Sequence, residues 1–243
     1  EDVTTWFAEG RDTYCEFASK VYGRTITKAD AIERFVGKTC TLGLGFGTGW
    51  RKLQHTLKTS PPGQALPDDE CKRLVKVYRE LNHKVIGFWG ACDRALEHIA
   101  NWPEGLEPYY LGEHRCVIVD RHGIKLPNGL YIYYPELHYD TSEEKSGFVY
   151  KSRRGKVNIW GGAMTENIVQ ALARIVIGEQ MVAVNARYRP ALTVHDAIIC
   201  VAPESEKDEA LSFLMEEMGR PPEWATELPI ACEGDYANTY GDC

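Results

Sequence analysis

Apolar positions between residues 11 and 22 recur three and four apart, placing Tyr14, Phe17, Ala18 and Val21 on one stripe. That spacing predicts an amphipathic helix. Thr27 followed three residues later by Asp30 has the form of a capping box. It predicts a second helix running through Arg34 and Lys38 towards Phe46. The stretch "SPPGQALPDD" at 60–69 then breaks the chain. Beyond it, Leu74, Tyr78, Leu81, Val85, Trp89, Cys92, Leu96 and Ile99 keep helical spacing and predict one core-packing helix or a pair.

After Pro103 the pattern shortens. "CVIVD", "GLYIYYP" and "GFVYKS" are β-rich runs separated by Gly, Pro and Asn, and "LPNG" reads as a turn leading into a strand. Residues 164–184 return to helical spacing, with Ile168, Leu172, Ile175 and Val176 on one side. "ALTVHDAIICVAP" is β-branched and carries a turn. An acidic helix at about 204–218 and a short closing strand near "LPIACEG" are expected after it. Helices, hairpins, helix, strands, helix and strand in that order imply an α+β fold. No internal repeat interrupts it.

Composition changes this picture little. Hydrophobic and charged fractions of 44% and 26% are those of a globular chain. No uninterrupted apolar run approaches the roughly 20 residues of a membrane span, and no signal peptide is visible. Glu1 stands where a Met would open a gene product, so an earlier segment is expected. The eight cysteines include no C-x-x-C pair and no close Cys/His cluster. They read as reduced, buried thiols of a cytosol-like compartment.

Charge changes it more. The net charge of −7 taken alone argues against a nucleic-acid binder. Its distribution does not: from Lys20 to Lys58 there are eight basic residues against two acidic, and from Pro203 to Cys243 two against eleven. A basic segment on an acidic body suits a phosphate-handling site, and equally a solvated helix face.

Inside the basic segment, residues 34–49 read "RFVGKTCTLGLGFGTG". As a ladder, Gly43, Gly45, Gly47 and Gly49 resemble the glycine-rich turn of S-adenosylmethionine-dependent methyltransferases. That reading needs a preceding strand and an acidic ribose ligand further on, for which Asp68 and Asp69 are the candidates. As a helix, Arg34, Lys38, Leu42 and Phe46 lie four apart and share one face. An Arg fork and a Lys point charge one turn apart can grip a polyphosphate, with Leu42 and Phe46 continuing the face as an apolar contact and an aromatic plate. The glycines end such a helix.

R-x-x-x-K, seven residues, then an aromatic and Gly resembles the fingers-helix motif of family A DNA polymerases, with Arg34, Lys38, Phe46 and Gly47 in its positions. "GRDTYCEFASKVYGR" at 10–24 resembles the segment after that family's first palm motif. "GGAMTENIVQALAR" at 161–174 is similar to the palm helix of its phage members. "LTVHDAIICVAPE" at 192–204 is similar to its last catalytic motif, and the terminal "YGDC" to a phage polymerase end. The likeness is spread over nearly the whole chain in the family's order.

The resemblance implies the C-terminal half of a right-hand polymerase, with a mainly helical fingers subdomain over 1–155 and an antiparallel-sheet palm over 156–243. It implies Mg²⁺ as cofactor, held in part by Asp196, and Arg34 and Lys38 as phosphate ligands of a deoxynucleoside triphosphate. Leu42 takes the place of a residue packing on the nucleotide sugar, often Phe or Tyr. Phe46 stands where Tyr is usual and Tyr14 where a phosphate-contacting His is common. His195 matches a residue at the primer end. Asn167 and Gln170 match polar residues reading the minor groove of primer-template DNA, and Ala197 replaces a common Glu. The family's other metal aspartate lies in a D-[YF]-S-x-I-E motif that this sequence lacks. "YDTSEE" at 139–144 comes in the wrong order and is a decoy. The expectation is a chain inactive alone, completed by an N-terminal polymerase fragment or subunit, away from membranes in a host-cell cytoplasm. A non-catalytic DNA-binding remnant is the further alternative.

Overall fold

The structure is a computed structural model and describes residues 3–142 and 146–242. Part of "YDTSEE", the end of "YGDC" and Glu1 lie outside the described residues. The chain divides into two compact units, Glu1–Lys125 with Leu130–Ile168, and Leu126–Gly129 with Val169–Cys243.

The first unit opens with α1 (Val3–Ala8), α2 (Thr13–Tyr22) and α3 (Ala31–Leu44), followed by α4 (Trp50–Thr59), α5 (Asp68–Leu81) and α6 (His83–Ala100). Helix α2 starts where Asp12 accepts the Tyr14 and Cys15 N–H groups, both at 3.1 Å, and stops at Gly23, whose φ of 65° suits glycine. The expected capping box is only half formed. Asp30 accepts the Thr27 N–H at 2.9 Å, but Asp30 itself, not Thr27, occupies the N-cap position of α3.

Of the two expected forms, one helix or a pair, the structure has the pair. At Asn82 the backbone leaves helical geometry, and both its N–H and its side-chain amide donate to the Tyr78 carbonyl at 2.9 Å. This ends α5 and leaves Leu81 exposed. Phe17, Val21, Val36, Cys40, Leu44, Leu53, Leu57, Leu74, Val75 and Tyr78 form the core between α2, α3, α4 and α5. Each helix donates its apolar stripe and keeps its charges outside, the arrangement that burial of apolar area drives.

Two antiparallel sheets complete this unit. One has the order β1 (Tyr109–Leu111), β2 (Val117–Asp120), β3 (Gly123–Lys125), β4 (Tyr131–Ile132). The other has the order β5 (His138–Asp140), β6 (Gly147–Ser152), β7 (Gly155–Ile159). Of "GLYIYYP" only Tyr131 and Ile132 pair as strand.

Helix α7 (Gly161–Asn185) begins in the first unit and continues into the second. By length and composition it could cross a bilayer, yet it buries Met164, Thr165, Ile168, Ile175, Gln180 and Val184 and carries Glu166, Arg174 and Glu179. The second unit also holds the hairpin β8 (Pro190–Val194) and β9 (Ala197–Cys200) and helix α8 (Lys207–Met218). The closing strand expected near residues 228–234 does not form; that segment has no ladder partner.

The thiols are free among the described residues. Burial pushes Cys40 up to about 12 and Cys92 up to about 11, as expected of packing groups rather than nucleophiles. Cys243 lies outside the described residues.

Candidate nucleotide-binding and active site

Arg34 and Lys38 stand one turn apart on α3, as the spacing required. Their charges share a floor: the Arg34 guanidinium lies 5.4 Å and the Lys38 ammonium 5.9 Å from the Tyr14 ring centroid. Helices α2 and α3 cross closely here because Gly37 has no side chain. A Cβ on it would lie 2.3 Å from the Tyr14 carbonyl oxygen and 3.0 Å from the Ala18 Cβ.

Asp12 holds the arginine. Arg34 Nε and a terminal nitrogen both donate to Asp12 Oδ2 at 2.8 Å, while the same carboxylate caps α2. Partial burial alone would raise the Asp12 pKa, but the Cys15 N–H and the Arg34 guanidinium outweigh it and hold the carboxyl below the ordinary range. The guanidinium is thereby oriented, with its remaining terminal nitrogen free of Asp12. Lys38 is exposed.

At the end of α3 the chain turns at Gly45–Gly47. Leu42 is 53% exposed and Phe46 half-buried, and both line a cleft of about 250 Å³ with Thr39, Lys52, Thr56 and Glu166. Two tryptophans fix the turn. Trp89 on α6 donates its indole N–H to the Gly45 carbonyl at 3.1 Å and meets Trp160 edge-on, with centroids 5.6 Å apart. Trp160 packs against Gly47, which has a φ of 79° and whose Cβ would overlap the indole at 1.9 Å. Gly47 is thus demanded by packing and by backbone conformation together.

Asn167, on the first-unit part of α7, donates its amide to the Tyr134 hydroxyl at 3.3 Å. Burial pushes Tyr134 up to about 12, so it stays a neutral phenol. Gln170, three residues along, is exposed and belongs to the second unit.

His195 and Asp196 form the two-residue tip of the β8–β9 hairpin, between the paired residues Val194 and Ala197, and both are exposed. His195 has a φ of 54°, a left-handed conformation costing a non-glycine residue about 1–2 kcal/mol. Strain of this kind is often kept where a side chain must project. Asp196 offers a single carboxylate. No group of three or more His, Cys, Asp or Glu able to hold a metal occurs among the described residues. A Mg²⁺ pair therefore does not fit the described residues without further ligands.

The structure brings Arg34, Lys38 and Tyr14 together, sets Leu42 and Phe46 in one cleft, and puts His195 and Asp196 on one hairpin tip in the other unit. It does not supply the strand that the methyltransferase reading needs, since residues 31–44 are helix up to the glycine ladder. Asp68 and Asp69 open α5 rather than following a strand. Sequence reasoning missed Asp12, Glu166 and Trp160. Asp12 had a legible signal, an Asp just before the helical stripe. Glu166 and Trp160 had none, because their role comes from which elements meet.

No protein-family model matches the chain. It is 30% identical over 236 residues to the DNA polymerase of Bacillus phage SP02, covering 91% of this chain and 34% of that protein. It also shares the fold of the POL domain of Pol1 from M. smegmatis, solved in complex with DNA primer-template and dNTP. That match has a TM-score of 0.62 and 19% identity, over 93% of this chain and 34% of that one. The chain therefore spans about a third of the length of either protein. In sequence the chain is thus similar to a phage DNA polymerase, and in fold to a polymerase domain, over about a third of either.

Proposed function

We propose that the chain is the fingers and C-terminal palm part of a DNA-directed DNA polymerase, with fingers over 1–155 and palm over 156–243. The observation that carries this reading is the oriented pair on α3, with Arg34 held by Asp12 and Lys38 beside it above the Tyr14 ring. In this role the two cations bind the phosphates of an incoming deoxynucleoside triphosphate and offset charge on the leaving pyrophosphate. Tyr14 donates a hydrogen bond to the same phosphates without adding charge. Leu42 packs on the sugar, Phe46 stacks beside the template base, and Gly47 keeps that turn tight. His195 approaches the primer end, and Asn167 and Gln170 check the minor groove, where acceptor positions are alike for all pairs.

Asp196 is the metal ligand of this reading. Because one carboxylate does not hold a Mg²⁺ pair, the other comes from an N-terminal part or partner chain. The threefold greater length of the phage relative supports this. Such an assembly works in the cytoplasm of a phage-infected host.

The isolated chain should bind primer-template DNA yet not extend it. A supplied N-terminal polymerase portion should restore templated extension, and Asp196→Ala should abolish it while leaving binding intact. Robust extension by the isolated chain would overturn the incompleteness. Binding without extension by any partner would leave a DNA-binding remnant. S-adenosylmethionine binding that tolerates Asp196→Ala would overturn the polymerase reading.

A further inference from the structure

The second unit has a cleft of its own, of about 480 Å³, between one face of α7 and the chain that follows α8. Val176, Glu179, Gln180 and Ala183 recur at helical spacing and form the α7 wall. Pro221, Pro222 and Trp224 form the other. Two side chains tie these walls together. The buried Gln180 amide donates to the Met218 carbonyl at 2.7 Å and to the Arg220 carbonyl at 3.3 Å. The Trp224 indole N–H is shared between the two Glu179 carboxylate oxygens, at 3.2 and 3.3 Å. An aromatic plate and a carboxylate are thus held side by side.

The cleft carries more negative charge than its own cation balances. Glu179, Glu217 and Glu223 line it against Arg220. Arg220 is taken by Glu217 at 2.8 Å and lies 3.8 Å from Glu216, whereas Glu179 pairs with no cation among the described residues. The Glu217 side chain is only 10% exposed, and its second carboxylate oxygen is buried with no hydrogen-bond partner. A buried carboxylate oxygen without a donor is costly, and a cation entering the cleft relieves that cost. The surroundings have the same sign, since Pro203 to Cys243 holds two basic residues against eleven acidic. Such a surface repels a phosphodiester backbone and attracts a basic protein. Among cations, a guanidinium matches both walls: it stacks on an indole and forks onto a carboxylate, and its apolar stem suits proline rings.

We infer that this cleft is a docking site for a basic partner protein, which lays an arginine guanidinium on Trp224 and Glu179 with its stem along Pro221 and Pro222. The inference rests on the second unit alone and is independent of the polymerase reading.

The test is a titration of the full chain with the peptide acetyl-Gly-Arg-Gly-amide, followed through the NMR signal of the Trp224 indole N–H, which Trp224→Phe identifies by its loss. The control is the same peptide with citrulline, which keeps the shape of arginine without its charge. The variant is Glu179→Gln, which keeps an acceptor for the indole and removes the charge. Glu179 is exposed, and equal melting temperatures confirm that the variant folds. The arginine peptide should move the indole signal, and its affinity should fall with salt. The citrulline peptide on wild type, and the arginine peptide on Glu179→Gln, should each bind at least about tenfold more weakly. Equal affinity for the two peptides overturns the inference, as does an arginine affinity unchanged in the folded variant. If the variant melts lower, the comparison of peptides on wild type decides alone. Spermidine binding as tightly as the arginine peptide overturns it in favour of a small polyamine site. An indole signal that stays in place throughout the titration also overturns it.

Discussion

Gly37 shows how one absent side chain sets the site. Alanine there gains about 1 kcal/mol of helix propensity but meets the Tyr14 carbonyl and the Ala18 methyl at overlapping distances. The backbone oxygen cannot rotate away, so overlap decides the sign. Gly37→Ala should lower the thermal midpoint, at a net cost of about 1–2 kcal/mol, and push Tyr14 out of register with Arg34. Asp12 acts at the same place through charge. Its carboxyl pKa is depressed in the fold, so the stability it adds is present above the unfolded value near 3.9 and is lost as pH falls through the folded value. Asp12→Asn keeps a capping oxygen but releases Arg34. It should destabilise by about 1 kcal/mol at neutral pH, since the pair is part-exposed, and the gap from wild type should begin to narrow as pH falls below about 4. Denaturant titrations at pH 7 and pH 3 would show this; an undiminished gap in acid would point to a cause other than charge.

Among the elements, the β8–β9 hairpin makes the most local prediction. His195 needs a left-handed backbone, which Asn tolerates and a β-branched residue does not. His195→Asn should leave stability unchanged, whereas His195→Val should cost about 1–2 kcal/mol, read as a shift in midpoint. This hairpin was legible in the sequence because β-branched runs flank a two-residue polar tip. Helices α2 and α7 were legible too, from apolar stripes, and α3 from a capping signal and the four-residue spacing of Arg34, Lys38, Leu42 and Phe46. Helix α4 went unread although Trp50, Leu53 and Leu57 have helical spacing, since it follows directly on the glycine ladder. A pair of helices was one of the expected forms, but the place of the break at Asn82 was not legible because apolar periodicity runs straight through it, and α5 ends where the Asn82 N–H and side-chain amide bond to the Tyr78 carbonyl. The strands of β1 to β7 were half legible: "CVIVD" and "GFVYKS" stood out, while their partners β1 and β7 are short or interrupted by polar residues and acquire strand geometry from the ladder. The acidic segment after α8 has the composition of a strand near 228–234 but nothing to pair with. At the site, the Arg34–Lys38 face followed from spacing alone. The tryptophan pair that fixes Gly47 depends on three elements meeting, which no local pattern reports.

For the molecule as a whole, the uneven charge acquires a place. Of the basic segment, Arg34 and Lys38 cluster over Tyr14, and Lys52 lines the cleft beside Phe46, while the acidic residues after Pro203 belong to the second unit. Net charge of −7 therefore does not forbid a nucleic-acid partner; it confines one to the basic surfaces. Binding to primer-template DNA should weaken steeply with salt, with a log–log slope near −0.9 per phosphate contact. The most direct test of the central claim is a titration of a deoxynucleoside triphosphate against the chain bound to primer-template, comparing wild type with Arg34→Ala/Lys38→Ala. Charge-assisted hydrogen bonds of about 1.5–3 kcal/mol each predict at least a tenfold loss of nucleotide affinity in the variant, with DNA binding largely kept. Equal affinity in the two proteins would contradict the account, because the oriented cations on α3 would then have no triphosphate to hold.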